Sequence, residues 1–210
     1  MTSTILTLFS SAWLATAPAA QTPRVTAADL VRPGTASFTV YAGTSAPMQD
    51  FRTVANGGTS AGISGNYHMT RRIDLSADLA YARNDGVNNG VNETIAGQGQ
   101  FTADESWTAS WLGGHASWRM LRSGLPYARL GVGVYHLKYR LDALNPTPTS
   151  LKGGDAEQSR LGANLGAGAS IRLTPGTRLG LEAVYHRVFV TGISAAYTTV
   201  GVTMTFAGGR

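Results

Sequence analysis

A histidine and a serine stand two residues apart in the stretch His115-Ala116-Ser117. Residues i and i+2 of a β-strand point to the same face, so this spacing places an imidazole beside a hydroxyl. A histidine in that position is able to act as the base for a nucleophilic serine. The sequence offers no matched carboxylate to orient the imidazole. His115 and Ser117 are therefore the catalytic candidates, with ordinary strand residues as the alternative, and the chain is not expected to be an enzyme.

Charged residues recur on one face of several predicted strands. Asp78, Arg129 and Glu182 each lie a few residues from a short turn, and Arg172 is nearby. In a closed barrel these side chains would point inward, where unpaired charges are costly. The pattern predicts an ion-pair network that fills the lumen, with a gated pore as the alternative. His186 follows Glu182 on the same face and is predicted to bond to it.

Metal, thiol and nucleic-acid chemistry have little support in the composition. The chain has no cysteine, which excludes disulfides, thiolate metal sites and cysteine nucleophiles. Its four histidines are scattered without close carboxylate neighbours, so no metal site and no cofactor are predicted. The formal net charge is +5, but the basic residues are spread along the chain, and nucleic acid is not expected as a partner.

The elements that would position these residues are long strands with two different faces. From Leu161 to Leu173 every second residue is apolar, while the intervening positions are mostly Gly, Asn and Ser. The final strand repeats this alternation and carries Phe206 on its apolar face. Such strands are typical of transmembrane β-barrels, in which roughly 9–11 residues cross the membrane.

Eight strands are predicted along the chain. Their expected ranges are Thr35–Gly43, Thr59–Met69, Asp74–Arg83, Ser106–Met120, Pro126–Arg140, Ser159–Leu173, Arg178–Val190 and Ala195–Phe206. Short turns follow the second, fourth and sixth strands, whereas long polar loops follow the first, third and fifth. Since this alternation is typical of outer-membrane barrels, we predict an all-β fold: an eight-stranded antiparallel up-and-down transmembrane β-barrel.

The first residues have the pattern of an export signal. An apolar stretch from Ile5 to Ala15 is followed by Ala17-Pro18-Ala19. The predicted organisation is a signal peptide over 1–19, a periplasmic lead-in segment over 20–34, an outer-membrane barrel over 35–206 and a C-terminal tail over 207–210. No apolar run reaches the roughly 18 residues that a membrane-spanning helix needs.

Alternation alone does not say which face of a barrel is outside. A soluble lipocalin-like barrel would place the apolar face inside, around a ligand. The Gly-rich polar face suits a crowded lumen, so the apolar face is predicted to contact lipid. The aromatic residues near the strand ends are then predicted to form interfacial girdles. These residues are Tyr81 and Phe189 at the outer rim, and Trp118, Tyr127 and Phe206 at the periplasmic rim.

The fourth predicted strand has an ambiguous phase. Trp107 and Trp111 share one face, whereas Leu112 and Trp118 share the other. Either a bulge at Gly113-Gly114 changes the phase, or the two tryptophans of the first pair point inward.

Two stretches carry a family resemblance. Residues 126–134 read as a Gly-rich mid-barrel strand, and residues 173–183 read as a turn followed by a strand. With them, the chain resembles the small OmpA-like and OmpX-like eight-stranded outer-membrane β-barrel proteins. The resemblance implies a bacterial outer-membrane location, insertion by the outer-membrane assembly machinery, and contact with lipid and lipopolysaccharide. His115 and Ser117 also resemble the His-x-Ser of lipid A deacylases, although Trp118 replaces the Asn that follows in that family.

The predicted role is structural, adhesive or surface-interactive, with a plugged lumen and with loops that contact a surface ligand. Three alternatives remain open from the sequence. They are a lipid A-modifying barrel enzyme of the deacylase kind, a narrow pore, and a soluble periplasmic lipocalin-like binder.

Overall fold

The computed structural model describes residues 32–95, 99–121, 126–149, 153–191 and 194–207. The predicted signal peptide, most of the predicted lead-in segment and residues 208–210 lie outside these ranges. Within them the strands are β1 (Ala36–Met48), β2 (Ala55–His68), β3 (Ile73–Gly86), β4 (Asn92–Ile95), β5 (Gly99–Arg119), β6 (Tyr127–Thr147), β7 (Gly154–Thr174), β8 (Thr177–Phe189) and β9 (Ser194–Ala207). A 3-10 helix, Gln49–Thr53, joins β1 to β2. In the described parts of the chain, no helix is both long and apolar enough to span a membrane.

Eight of these strands form a closed antiparallel wall. The hydrogen-bonded order is β3-β2-β1-β9-β8-β7-β6-β5, and β3 also pairs with β5 to complete the ring. The short strand β4 pairs with β5 beyond the part of β5 that β3 covers. Because each wall strand pairs on both sides, the backbone N–H and C=O groups are satisfied without water. The predicted eight-stranded up-and-down barrel is confirmed.

Three strands extend far past their predicted ends. β5, β6 and β7 each contain 21 residues, about twice the roughly 9–11 that a membrane crossing needs. The prediction of long loops over 84–105 and 141–158 is therefore wrong for most of their residues, which belong to strands. Most residues of these extensions are polar, and the long apolar alternation that marks a membrane strand does not continue through them, although Phe101 and Ala103 of β5 are buried.

The barrel is apolar on the outside and polar on the inside. Large outward side chains are more than half exposed, among them Leu112, Leu130, Val132, Leu161 and Leu181. The inward polar side chains are almost fully buried, among them Asp78, Arg129, Asn164 and His186. A continuous apolar belt of this extent marks a surface that contacts lipid. The faces are arranged as the sequence predicts.

Both ambiguous tryptophans of β5 point into the lumen. The pairing of β3 with β5 runs unbroken past Gly113 and Gly114, so the phase does not change there. Trp111 is only 2% exposed. A Cβ atom placed on Gly133 of the neighbouring strand would lie 2.0 Å from the Trp111 Nε1 atom. The glycine therefore leaves the space that the indole ring fills.

Four of the five predicted interfacial aromatics lie on the outer face. They are Tyr81, Trp118, Phe189 and Phe206. The prediction for Tyr127 is wrong, because its hydroxyl points inward and donates a hydrogen bond to Glu182 Oε2 at 2.8 Å. Tyr127 has the same phase as the inward Arg129, two residues later, and the period of two places both on one face.

We expect the substitution Gly133→Ala to destabilise the barrel by about 1–3 kcal/mol, because the new methyl group meets the packed Trp111 ring and the Leu112 carbonyl. The matched control is Gly65→Ala, since a Cβ atom at Gly65 meets nothing within 4 Å. Urea unfolding in lipid vesicles, followed by tryptophan fluorescence, measures both variants. Equal midpoints for the two variants would contradict this packing account.

Candidate functional site

Three strands bring the predicted charged residues together inside the barrel. Asp78 lies on β3, Arg129 on β6 and Glu182 on β8. Arg129 donates from Nη2 to Asp78 Oδ2 at 3.0 Å and from Nη1 to Glu182 Oε1 at 2.8 Å. The Arg129 and Asp78 side chains are 5% and 2% exposed. One guanidinium thus bridges two carboxylates across the lumen, and we call this group the charged layer.

Further polar groups complete the charged layer. Ser64 donates its hydroxyl to Asp78 Oδ1, and His115 Nδ1 contacts Asp78 Oδ2. Tyr127 donates to the Glu182 carboxylate. A buried carboxylate is tolerated when charges and hydrogen bonds surround it in this way. Sequence reasoning missed Ser64 and Tyr127, although both lie on the inward phase of their strands.

The catalytic candidates belong to this polar interior. His115 and Ser117 are 9% and 7% exposed and face the lumen, away from the lipid. Successive inward residues of a strand are roughly 6.6 Å apart, and the imidazole contacts Asp78, not Ser117. The acyl chains of a lipid substrate lie on the other side of the wall. This placement gives His115 a role as a partner of the Asp78 carboxylate.

Two members of the predicted network lie elsewhere. Arg172 is at the rim that carries the short turns, and its Nε donates to the Thr174 carbonyl at 3.1 Å. His186 does not bond to Glu182, so that prediction is wrong, because four residues of strand span roughly 13 Å. The His186 ring instead lies between Tyr135 Oη at 3.0 Å and Thr199 Oγ1 at 3.3 Å.

An aromatic layer fills the lumen towards the end opposite the short turns. Trp111 stacks on Tyr135 with ring centroids 5.9 Å apart, and His186 stacks on Tyr197 at 4.6 Å. Beyond them, the 3-10 helix inserts Phe51, whose ring meets the edge of Trp107 at 5.4 Å. Phe51, Trp111, Tyr135 and Tyr197 belong to one buried cluster. The barrel therefore has its hydrophobic core inside the lumen at this end.

A second charged group lies at the short-turn rim and was not predicted. His68 Nδ1 is 2.6 Å from Asp74 Oδ1, and Arg119 donates from Nη2 to Asp74 Oδ2. All three residues are at most 7% exposed. The sequence pattern that could have indicated this group is the spacing of Asp74 and Asp78, which puts two carboxylates on one face of β3.

The free space of the lumen is concentrated at one end. A cavity of about 340 Å³ extends from the charged layer to the short-turn rim, where Pro175 and Gly176 line its mouth. A much smaller space of about 10 Å³ lies between the charged layer and the side chains of Tyr41 and Trp111. Among the described residues, no group of three His, Cys, Asp or Glu side chains is placed to bind a metal ion. The cavity thus opens at the short-turn rim, and packed aromatic side chains lie towards the other end.

We expect Asp78→Asn to destabilise the protein by about 3–5 kcal/mol, because the change leaves His115 buried without its carboxylate and Arg129 with only one of its two carboxylate partners. The matched control, Asp155→Asn, removes the exposed ion pair with Lys138 and is expected to cost less than about 1 kcal/mol. Urea unfolding of the two folded variants measures the difference. A small effect at Asp78 would show that the charged layer contributes little to stability.

Comparison with known proteins agrees with this geometry. Residues 4–206 match the family model described as outer membrane protein beta-barrel domain. The crystal structure of Neisserial surface protein A aligns with a TM-score of 0.53 at 15% identity, covering 82% of this chain and 97% of that one. Ail, the attachment invasion locus protein of Yersinia pestis, crystallised with the heparin analogue sucrose octasulfate, aligns with a TM-score of 0.55 at 13% identity, covering 83% and 100%.

A major outer membrane protein of Thermus thermophilus aligns with a TM-score of 0.50 at 12% identity, covering 82% of this chain and 99% of that one. No curated protein sequence is significantly similar to the chain. At these identities the structural matches establish the fold, while the family model spans nearly the whole sequence. The chain belongs to the outer membrane protein β-barrel family and is a protein of the bacterial outer membrane.

Proposed function

We propose that the protein is a non-conducting barrel that holds a β-sheet platform above the cell surface for contact with a surface ligand. The observation that carries this proposal is the length of β5, β6 and β7, which have 21 residues each. In this fold, short turns face the periplasm and the opposite end faces outward. About half of each long strand then rises beyond the membrane. We call the parts of these strands that lie farthest from the short turns, residues 99–108 of β5, 138–147 of β6 and 154–161 of β7, together with β4, the platform.

The surface of the platform is polar and charged. Lys138 Nζ lies 3.2 Å from Asp155 Oδ2, and Arg140 Nε lies 2.7 Å from Asp142 Oδ2. All four side chains are more than one third exposed, so these pairs contribute little to stability. Charges on an exposed surface influence the approach and choice of a partner more than they hold the fold. This composition supports an interaction role for the platform.

One edge of the platform is open. β7 pairs with β6 from Gly154 onward, but its described pairing with β8 begins only at Gly162. The backbone groups of the segment between these positions therefore have a partner strand on one side. An open strand edge is able to accept an extended segment of another protein by adding a strand. Two of the similar structures carry names of surface or attachment proteins, which also supports a surface role.

The outer face of the barrel supports two contacts with the cell envelope, one with lipid and one with the assembly machinery. The exposed apolar belt supports binding of outer-membrane lipid, with lipopolysaccharide in the outer leaflet. β9 has Val200, Val202 and Phe206 on its outer face. This pattern supports recognition of the final strand by the outer-membrane assembly machinery.

The platform proposal is tested by shortening it. In a variant with residues 141–154 replaced by a two-residue turn between the paired residues Arg140 and Asp155, we expect adhesion of protein-displaying bacteria to host cells or matrix-coated surfaces to fall to the level of bacteria without the protein. The barrel wall should remain intact, because these residues lie beyond the predicted membrane part of β6 and β7. A mobility shift between unboiled and boiled samples checks folding. Unchanged adhesion by a folded variant would refute the platform role.

The filled lumen supports the absence of conduction. The space of about 10 Å³ beyond the charged layer is near the lower limit for a single water molecule. We expect no discrete conductance steps for the protein in planar bilayers. Replacing Trp111 and Tyr135 together by alanine should remove the stacked pair and introduce small steps. Discrete steps in the unmodified protein would favour the pore alternative.

A further inference from the structure

We propose that the periplasmic mouth of the lumen binds a small, multiply charged oxyanion, a molecule that carries phosphate or carboxylate groups. The site is the cavity of about 340 Å³ at the short-turn rim. The residues assigned to it are Arg119, Arg172 and Arg178, which line this cavity from β5, β7 and β8. This binding role is separate from the platform and from the plug.

Like charges stand close together at this mouth of the lumen. Arg172 and Arg178 stand directly opposite each other in the pairing of β7 with β8. Like charges at opposed positions of neighbouring strands destabilise a sheet. Arg178 also interacts electrostatically with Arg119 and with the Asp74 carboxylate. Arg119 pairs with Asp74, and it lines the same cavity as Arg172 and Arg178, so an added anion there would reduce the repulsion among the three cations.

Two buried donor atoms of arginines that line the cavity lack acceptors. Arg119 Nη1 and Arg129 Nε are buried and have no hydrogen-bond partner in the protein. Both side chains are more than nine-tenths buried, being 8% and 5% exposed. A buried charged donor without an acceptor is costly. These two atoms are themselves out of a ligand's reach, but both side chains line the cavity, and their positive charge favours an anion there.

The guanidinium groups and the volume of the cavity indicate the same class of ligand. The planar fork of a guanidinium matches the paired oxygens of carboxylate and phosphate. A cavity of about 340 Å³ is at the small end of the range for ligand pockets. The filled lumen beyond it means that the ligand enters and leaves from the periplasm. The geometry thus describes a binding site, with no route for transport.

The test is calorimetric titration of the full chain, folded in an uncharged maltoside detergent, with citrate and with pyrophosphate. We expect saturable binding of at least one probe to one site. Replacing Arg172 and Arg178 by glutamine should weaken the affinity by about tenfold for each lost charged hydrogen bond. The control is Arg187→Gln, on the exposed outer face near the far end of β8, which should leave the affinity unchanged.

A second measurement separates a binding site from a structural one. Because the double variant loses an opposed pair of like charges, its urea midpoint without ligand should equal or exceed that of the unmodified protein. Titration with a short-chain phosphatidylglycerol distinguishes a lipid headgroup from a free anion as the source of the phosphate. Binding of this lipid that is lost in the double variant supports the site. No saturation with any probe at millimolar concentration, or equal affinity in the double variant, would overturn the proposal.

Discussion

An eight-stranded barrel encloses a lumen only wide enough for its own side chains, and the other features of this structure depend on that limit. Every large inward residue needs a small residue beside it. The ring of Trp111 fills the space over Gly133, and the Tyr135 ring fills the space over Gly162. The glycines of the polar face therefore determine where the aromatic side chains lie, and a methyl group at such a position has no room.

The same limit determines how charges are held inside. Buried charges such as those of Asp78, Arg129 and Glu182 are tolerated only as a connected group, in which each charge faces the opposite one. The charged layer also separates two environments. Packed aromatic rings occupy the lumen on one side, and the open cavity with its arginines occupies the other side. The layer therefore lies at the inner end of the open cavity.

The wall and the platform meet different physical requirements, although β5, β6 and β7 contribute to both. In the membrane, the outer face must be apolar and each strand must pair on both sides. Beyond the membrane, water is able to satisfy exposed backbone groups, so β7 can continue past Gly162, where its described pairing with β8 ends, with β6 as its partner. The membrane constrains the fold of the wall. It places no such constraint on the platform, which carries the proposed contact with a surface ligand.

The amino-acid sequence alone determined the strand number, the outward and inward faces and the inward phase of Asp78, Arg129 and Glu182, because a period of two is a local property of a strand. It misplaced Tyr127, His186 and the ends of β5 to β7, and it left the phase of Trp107 and Trp111 open. Only the tertiary structure decided which inward side chains meet. Contacts such as His115 with Asp78, or Arg119 with Asp74, depend on the register and stagger of neighbouring strands around the closed ring, which no single strand encodes.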